Sequence, residues 1–363
     1  MKVEVHACDD GGCGHYRSIW PGWAVDAGGL HDVRVRVPGT DDAPQLPVLW
    51  AGDHPVGIRD REEGWPDVMV FQRPLRWAML VAIQLLQQEK GVAGVVARDD
   101  DFASAGPRNA AWSPELRDKV EALYACCSQA DLVTTSTRAL AEKYADHGRA
   151  VVVPNYLPGH HVAAGRARFE ETPVPGASVV IGWSGSVNVH RDDLPVVGAG
   201  LARARRRSSL ETELHVVGTG ADVARGLGVA RIDHASGWVP IAEYPQALSH
   251  FDLGLAPLAD TVFNRSKSWL KPLEYAGAGV PCAVSETVEY QRLIEEYPGS
   301  VVATCASPDD WRRALTALLA DRDELRHWGA VAHAAVATAT VEHHREEWAN
   351  AWSAARAYHQ QGH

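Results

Sequence analysis

Two hydrophobic periods alternate along the chain. Short apolar runs bounded by Gly, Pro or Asp read as strands at Val3 to Cys8, Val33 to Val37, Asp67 to Phe71, Gly94 to Ala97, Asp131 to Thr135 and Ala150 to Val153. Between them, apolar residues at helical spacing predict helices over 16–27, 75–90, 114–128 and 137–146, with Pro21 in or near a first turn. Residues 156–177 break the rhythm: they are rich in Pro, Gly, Ala and charge, with the clearest interruption at Glu170 to Gly176. The alternation then resumes. Strands are expected at Val179 to Ile181, Glu213 to Val217, Asp252 to Pro257, Pro281 to Ser285 and Gly299 to Ala303, with a helix around 192–207. From Pro308 onward the pattern is helical only, and a last helix over 341–359 carries Trp348 and Trp352 at i, i+4 spacing.

Strands alternating with helices predict parallel sheets covered on both faces. The expected fold class is therefore α/β, with two Rossmann-like parallel-sheet domains facing a cleft. The expected domains are 1–165, a linker at 166–177, and 178–338, followed by a helix in 339–363 that crosses back to the amino-terminal domain. A chain of 363 residues is long enough for two cores. In open sheets of this kind, ligands gather at the carboxyl ends of the strands.

Composition narrows the partners. A formal net charge of -11 argues against general nucleic-acid binding, which feeds on Lys/Arg-rich surfaces. The six cysteines form no CxxC pair, and Cys126 and Cys127 are adjacent, so neither a zinc knuckle nor a disulfide framework is expected. Met1-Lys-Val-Glu-Val-His-Ala reads directly as a strand, without a secretory leader, and no run approaches the roughly 18 apolar residues of a membrane span. A cytoplasmic protein with no membrane span is the expectation. Most histidines, including the His160-His161 and His343-His344 pairs, are expected to face solvent, since neither pair has the i, i+4 zinc spacing. Among 13 tryptophans, Trp20 and Trp23 beside a glycine-rich loop read either as core or as the lining of a sugar or base site.

The densest chemistry lies between Phe263 and Ser285. Asn264-Arg265-Ser266-Lys267-Ser268 precedes a helical stretch in which Trp269, Leu270, Leu273, Ala276 and Gly277 share a face. A helix opening there would offer free backbone N–H groups beside the cations Arg265 and Lys267, which is an anion site. Glu274 follows inside the helix, and Gly279-Val-Pro281 turns into the next strand. Elsewhere, Gly11-Gly12-Cys13-Gly14 lacks the G-x-G-x-x-G spacing of dinucleotide folds. It reads as a tight turn or as a loop whose glycines, Gly12 and Gly14 among them, let a ligand approach the backbone. Arg17 either faces a phosphate or acceptor anion or caps the surface, and Gln72-Arg73-Pro74 is either a cleft contact or structural. Asp99-Asp100-Asp101 reads as a helix cap or as cleft carboxylates, with Asp100 the candidate acceptor base; one short acidic run supplies too few oxygens for a metal, so none is expected. His190 is a candidate for phosphate or sugar binding beside the Ser184-Gly185-Ser186 loop.

As a set, these pieces resemble GT-B glycosyltransferases, nearest to glycosyltransferase family 4. Ile181-Gly-Trp-Ser-Gly-Ser186 resembles the first glycine loop of the donor domain, His215-Val-Val-Gly-Thr-Gly220 its strand-plus-glycine element, and Gly237-Trp238, then Tyr244 through Asp252 to Pro257, its base-recognition loop and the strand leading to the donor helix. Lys271, Glu274-Tyr-Ala and Gly279-Val-Pro281 resemble its donor helix; Asp131 to Ser136 and Val153-Pro-Asn155 are typical of its amino-terminal half. The resemblance implies a sugar moved from a nucleoside diphosphate sugar, of UDP or GDP type, to a hydroxyl acceptor, with no cofactor and no metal, and with retention of configuration. It implies that Glu274 bonds the donor ribose, that Lys267 and Arg265 lie near the diphosphate, and that Gly11, Gly12 and Gly14 form the amino-terminal loop where the backbone approaches donor and acceptor. Lys267, Lys271, the Ser184–Ser186 loop with Gly185, and helix N-termini are expected to stabilise the departing diphosphate, with Gly218, Trp238, Asn264, Ser266 and Ser268 as further donor-binding candidates. It also implies a glutamate eight positions before Glu274, where this chain has Ser266. Two alternatives follow: a macromolecular acceptor such as a modified DNA base or a virion protein, and a relative that binds nucleotide sugars or glycans without transfer.

Overall fold

The β-branched runs become strands in a computed structural model of the protein, which describes residues 1–363 except 42–47, 53, 108, 110, 111, 171–175, 189, 190, 220, 221 and 363. The chain divides into two units, the first made of 1–104, 113–156 and 341–363, the second of 105–112 and 157–340. The first unit therefore ends at Tyr156 rather than at 165, and takes up the carboxyl-terminal residues.

In the first unit the strands are β1 Lys2–His6, β2 Asp32–Arg36, β3 Val48–Ala51, β4 His54–Ile58, β5 Val68–Gln72, β6 Ala93–Arg98, β7 Leu132–Thr135 and β8 Ala150–Val152. Six of them form a parallel sheet in the order β2-β1-β5-β6-β7-β8, while β3 and β4 pair as an antiparallel hairpin. Every residue of β5, β6 and β7 is buried, as expected for central parallel strands with helices on both faces. The hairpin escapes sequence reading because each arm is short and the second carries Pro55 and Gly57, which weaken a strand pattern. The last helix, Arg345–Gln360, packs on Trp20–Ala27 and on β6 and β7, and its buried Trp348 and Trp352 are the expected tryptophan stripe.

Glycines expected to form a flexible loop instead begin a helix. Gly12–Gly14 is its first turn, a π-helical turn His15–Ile19 follows, and Trp20–Ala27 completes it. The wide turn lies directly ahead of Pro21, which has no N–H to donate and whose ring clashes with an ordinary helical carbonyl. Asp9 Oδ1 accepts from the N–H groups of Gly11 and Gly14 at 3.0 and 2.9 Å, satisfying two donors at the helix start.

The second unit holds β9 Val179–Ser186, β10 Thr212–Thr219, β11 His234–Ala235, β12 Leu253–Ala256, β13 Cys282–Ser285 and β14 Ala303–Cys305, parallel in the order β11-β10-β9-β12-β13-β14. Its core joins Ile181, Leu214, Leu253, Leu255, Trp311 and Leu315. Two expectations change here. Gly159–Glu170, read as linker, is a helix; Gly165 lets it lie on the Gly277 carbonyl, where an added Cβ would meet the oxygen at 2.0 Å. The segment 192–207 is a 3₁₀ turn Leu194–Val197 followed by the helix Gly200–Arg207. Among the described residues no helix is long and apolar enough to cross a membrane.

Candidate active site

Gly182-Trp-Ser-Gly-Ser186 reads from sequence as a loop after β9, yet β9 continues through Ser186, with Ser184, Gly185 and Ser186 opposite Val217, Gly218 and Thr219 of β10. The glycines mark close approach rather than a turn. A Cβ on Gly182 would enter the Phe251 ring at 1.9 Å, and one on Gly218 would stand 1.9 Å from the Gly185 carbonyl oxygen. Gly185 and Gly218 take φ of 149° and 130°, conformations that favour glycine.

The 263–285 stretch also departs from expectation at its start. Asn264–Ser266 is a single 3₁₀ turn, Lys267 is extended with ψ of 136°, and the helix proper is Leu270–Gly277 with Trp269 at its cap. The reason lies in the polar side chains, which bond locally and compete with helix. Ser266 Oγ donates to the Phe263 carbonyl at 2.9 Å. Asn264 Nδ2 donates to Asp193 Oδ1 at 2.6 Å and to the Ala259 carbonyl at 3.0 Å, while Asp193 also accepts from the Ala259 N–H at 2.9 Å. Asn264 and Ser266 are thus buried supports of the turn. Arg265 points away to an exposed ion pair with Asp260 at 2.8 Å, which places it on the surface. Lys267 lies over the Phe263 ring at 4.8 Å and, like Ser268, is half-buried.

One turn further on, three elements bring their polar groups to one point. Lys271 Nζ donates to Ser184 Oγ at 3.1 Å, to Tyr244 OH at 2.9 Å and to Glu274 Oε2 at 3.1 Å. Tyr244 OH lies 3.2 Å from the same carboxylate oxygen and 2.9 Å from Ser184 Oγ. Below them, Tyr275 OH accepts from the Ser184 N–H at 3.0 Å and donates to the Leu255 carbonyl at 3.2 Å, tying β9 and β12 to the helix. Burial, reinforced by the Glu274 charge, pushes the Tyr244 phenol well above its ordinary range, so it stays protonated. Of the expected residues, Ser184, Lys271 and Glu274 meet here. Tyr244 and Tyr275 were not anticipated as site groups; the signal available was a tyrosine directly after Glu274 and another opening the helix Tyr244–Ser249.

Ser186, Gly185 and Gly218 stand at the ends of β9 and β10, and Gly237, whose carbonyl accepts from the Gly218 N–H at 2.8 Å, directly precedes Trp238. Trp238 is 68% exposed, an open aromatic face. The candidate His190 lies outside the described residues.

Gly12, Gly14 and Asp100 belong to the first unit. Gly14 is required by packing, because a Cβ there would stand 1.8 Å from the Asp9 carbonyl oxygen. At the end of β5, Arg73 takes φ of 52°, the one left-handed non-glycine residue among those described, and grips Asp99 through two bonds of 3.1 and 3.0 Å. Burial alone would raise the Asp99 carboxyl, but Arg73, Arg98 and Arg17 outweigh it and hold it low. Asp101 is committed to Lys143 and Tyr144. Asp100, half-buried, has a carboxylate 3.8 Å from Arg73 and remains the carboxylate of the three nearest to solvent. Cys13, Asp99 and Asp100 offer ligand atoms within 4.8 Å of one another, and Arg73 donates to both Asp99 oxygens. Arg17 is no surface cap: it is 1% exposed, bonded to the Val153 carbonyl and Asn155, with its guanidinium 4.3 Å from the Trp348 ring centroid. Trp20 is core and Trp23 is exposed, while His161, expected at the surface, is buried.

Comparison with known proteins adds a family match over part of the chain. Residues 200–354 match the family described as glycosyl transferase-like. Among solved structures, HepE of Anabaena, determined with UDP and glucose, is 13% identical with a TM-score of 0.60, covering 97% of this chain and 99% of its own. Sucrose-phosphate synthase of Thermosynechococcus elongatus is 14% identical with a TM-score of 0.56, covering 92% and 93%. TarM of S. aureus is 11% identical with a TM-score of 0.52; the match takes 78% of this chain and spans 55% of TarM. No curated protein matches the sequence significantly.

Proposed function

We propose that the protein transfers a sugar from a UDP- or GDP-sugar to a hydroxyl acceptor, without a metal or other cofactor, a reading supported by the GT-B fold and by the match of residues 200–354 to the glycosyl transferase-like family. The observation that carries this reading is the meeting of Lys271, Glu274, Ser184 and Tyr244 at the carboxyl end of β9. A carboxylate held by an ammonium and a phenol is fixed in direction and keeps lone pairs for ribose hydroxyls. The nearby Lys267, the first-turn N–H groups of Leu270–Gly277 and the backbone at Gly185 are suited to the charge that grows on a departing diphosphate. Lys271 has three N–H donors and three acceptors, so it contributes through its charge and through Glu274 more than through a spare proton. UDP in the HepE structure supports a uridine donor first. Retention of configuration rests on the family resemblance, and Asp100 is the proposed acceptor base.

The test is a panel of UDP- and GDP-sugars incubated with the protein, followed for nucleotide release and, with product in hand, for the anomeric proton by NMR. Turnover that falls at least tenfold in Lys271→Ala and Glu274→Ala is expected. Ser266 favours one second reading, since it turns inward to Phe263 where the resembling family carries a glutamate. Binding of a nucleotide sugar with no release in any combination would assign the protein to nucleotide-sugar binding instead.

A further inference from the structure

The Lys271 cluster contains more order than two charged residues need, and its proton directions can be worked out. Lys271 can only donate, so Ser184 Oγ, Tyr244 OH and Glu274 Oε2 each accept from it. Glu274 as a carboxylate can only accept, so the 3.2 Å contact requires the Tyr244 O–H to point at it. Ser184 then has its own proton left for Tyr244 or for Tyr275, at 2.9 and 3.3 Å. Every donor on Lys271 is used, and the phenol, like the ammonium, is in contact with all three of the others.

Resting on the reading of this site as a nucleotide-sugar site, we propose that Tyr244 is a positioning residue that sets the direction of the Glu274 carboxylate and the Lys271 ammonium for the nucleotide. Tyr244 arrives from a different element, the helix Tyr244–Ser249, whereas Lys271 and Glu274 are one turn apart on Leu270–Gly277. An i,i+3 pair on a helix surface is weakly oriented by itself. Clamping it from outside with a neutral donor converts a floppy pair into a fixed one. The aromatic ring adds to the clamp, with the ammonium 5.6 Å from its centroid. Ser184 serves the same clamp from β9.

Tyr244→Phe removes one hydroxyl and keeps the ring. Titrated with UDP, GDP and their monophosphates, the wild-type protein identifies the tighter nucleotide, which is then used throughout. Tyr244→Phe is expected to weaken it about five- to tenfold, the upper part of the net range of one ordinary hydrogen bond. The discriminating readout is coupling: in a Glu274→Gln background, the further loss from Tyr244→Phe is expected to shrink below about twofold. An equal loss in both backgrounds, or no loss in either, overturns the proposal. Thermal unfolding of each variant separates this from general damage, and if Tyr244→Phe loses its cooperative transition, Ser184→Ala replaces it, with a two- to fivefold loss expected and an unchanged affinity counting against the clamp. Failure of the wild-type protein to bind any nucleotide would instead overturn the underlying reading of the site.

Discussion

Glu4, in the middle of a buried parallel strand, is decided by its three neighbours. Its carboxylate meets His6 at 2.9 Å, Arg36 at 3.2 Å and Arg61 at 2.7 Å. Burial by itself would raise its pKa, but the bonds and charges of His6 and Arg61 win and bring it down to about 2. A carboxylate whose folded pKa lies below its unfolded value, near 4.3, stabilises the fold above that value and loses the contribution as pH falls toward 2. Glu4→Gln is therefore expected to cost on the order of 3 kcal/mol at pH 7 and much less near pH 2.5. Urea unfolding at the two pH values checks this, and a gap that does not close on acidification would refute it. Cys13 makes a second residue-scale case, because burial pushes its thiol up to about 12. Iodoacetamide at pH 8 is expected to leave it unmodified while a free thiol in the same tube reacts completely; mass spectrometry reads the outcome.

At the scale of elements, the close pair β9–β10 carries the clearest prediction. Gly218 lies at φ of 130° with the Gly185 carbonyl where a Cβ would go, so Gly218→Ala must push apart the central strands beside the candidate site. A loss of about 3 kcal/mol or more follows, read as a fall in Tm of about 6 °C or more together with weaker nucleotide binding. Gly106→Ala, with open space around it, is the control and is expected to change Tm little. The same pair shows what sequence reading could reach. Apolar runs at Val3, Val68, Val179 and Cys282 announced their strands because burial on both faces leaves no alternation to misread. The glycines of 182–186 and 218 misled, since glycine signals a turn and a close approach with the same letter. Lys271 and Glu274 were legible through their neighbours in one helix. Tyr244 was not, because its link to them is a hydrogen bond across 30 residues of chain, and nothing in local periodicity encodes that.

The whole molecule is two units with unequal claims on the chain. The second unit holds 157–340 and with it Ser184, Gly218, Trp238, Tyr244, Lys271 and Glu274. The first is discontinuous: its sheet comes from the amino-terminal half, but one of its covering helices, Arg345–Gln360, returns from the far end of the chain. That helix supplies Trp348 and Trp352, each 1% exposed, and Trp348 is also the ring against which the buried Arg17 lies. Burial pushes the Arg17 guanidinium down to about 9, a cost that the aromatic contact and the bonds to Val153 and Asn155 offset. Ending the chain at Thr340 would expose a hydrophobic sheet face and leave that guanidinium against water or nothing. The first unit is then expected to lose its cooperative unfolding transition, whereas the second, with its site complete, keeps nucleotide affinity within about threefold of the full chain if the two units fold independently. Calorimetry and nucleotide titration on the same truncated protein read the two units separately. Trp348→Ala in the full chain is the milder form, with a loss of about 3 to 5 kcal/mol confined to the first unit's transition. A truncation that abolished nucleotide binding while the second unit's transition persisted would mean that the site needs more of the chain than the residues gathered around Lys271.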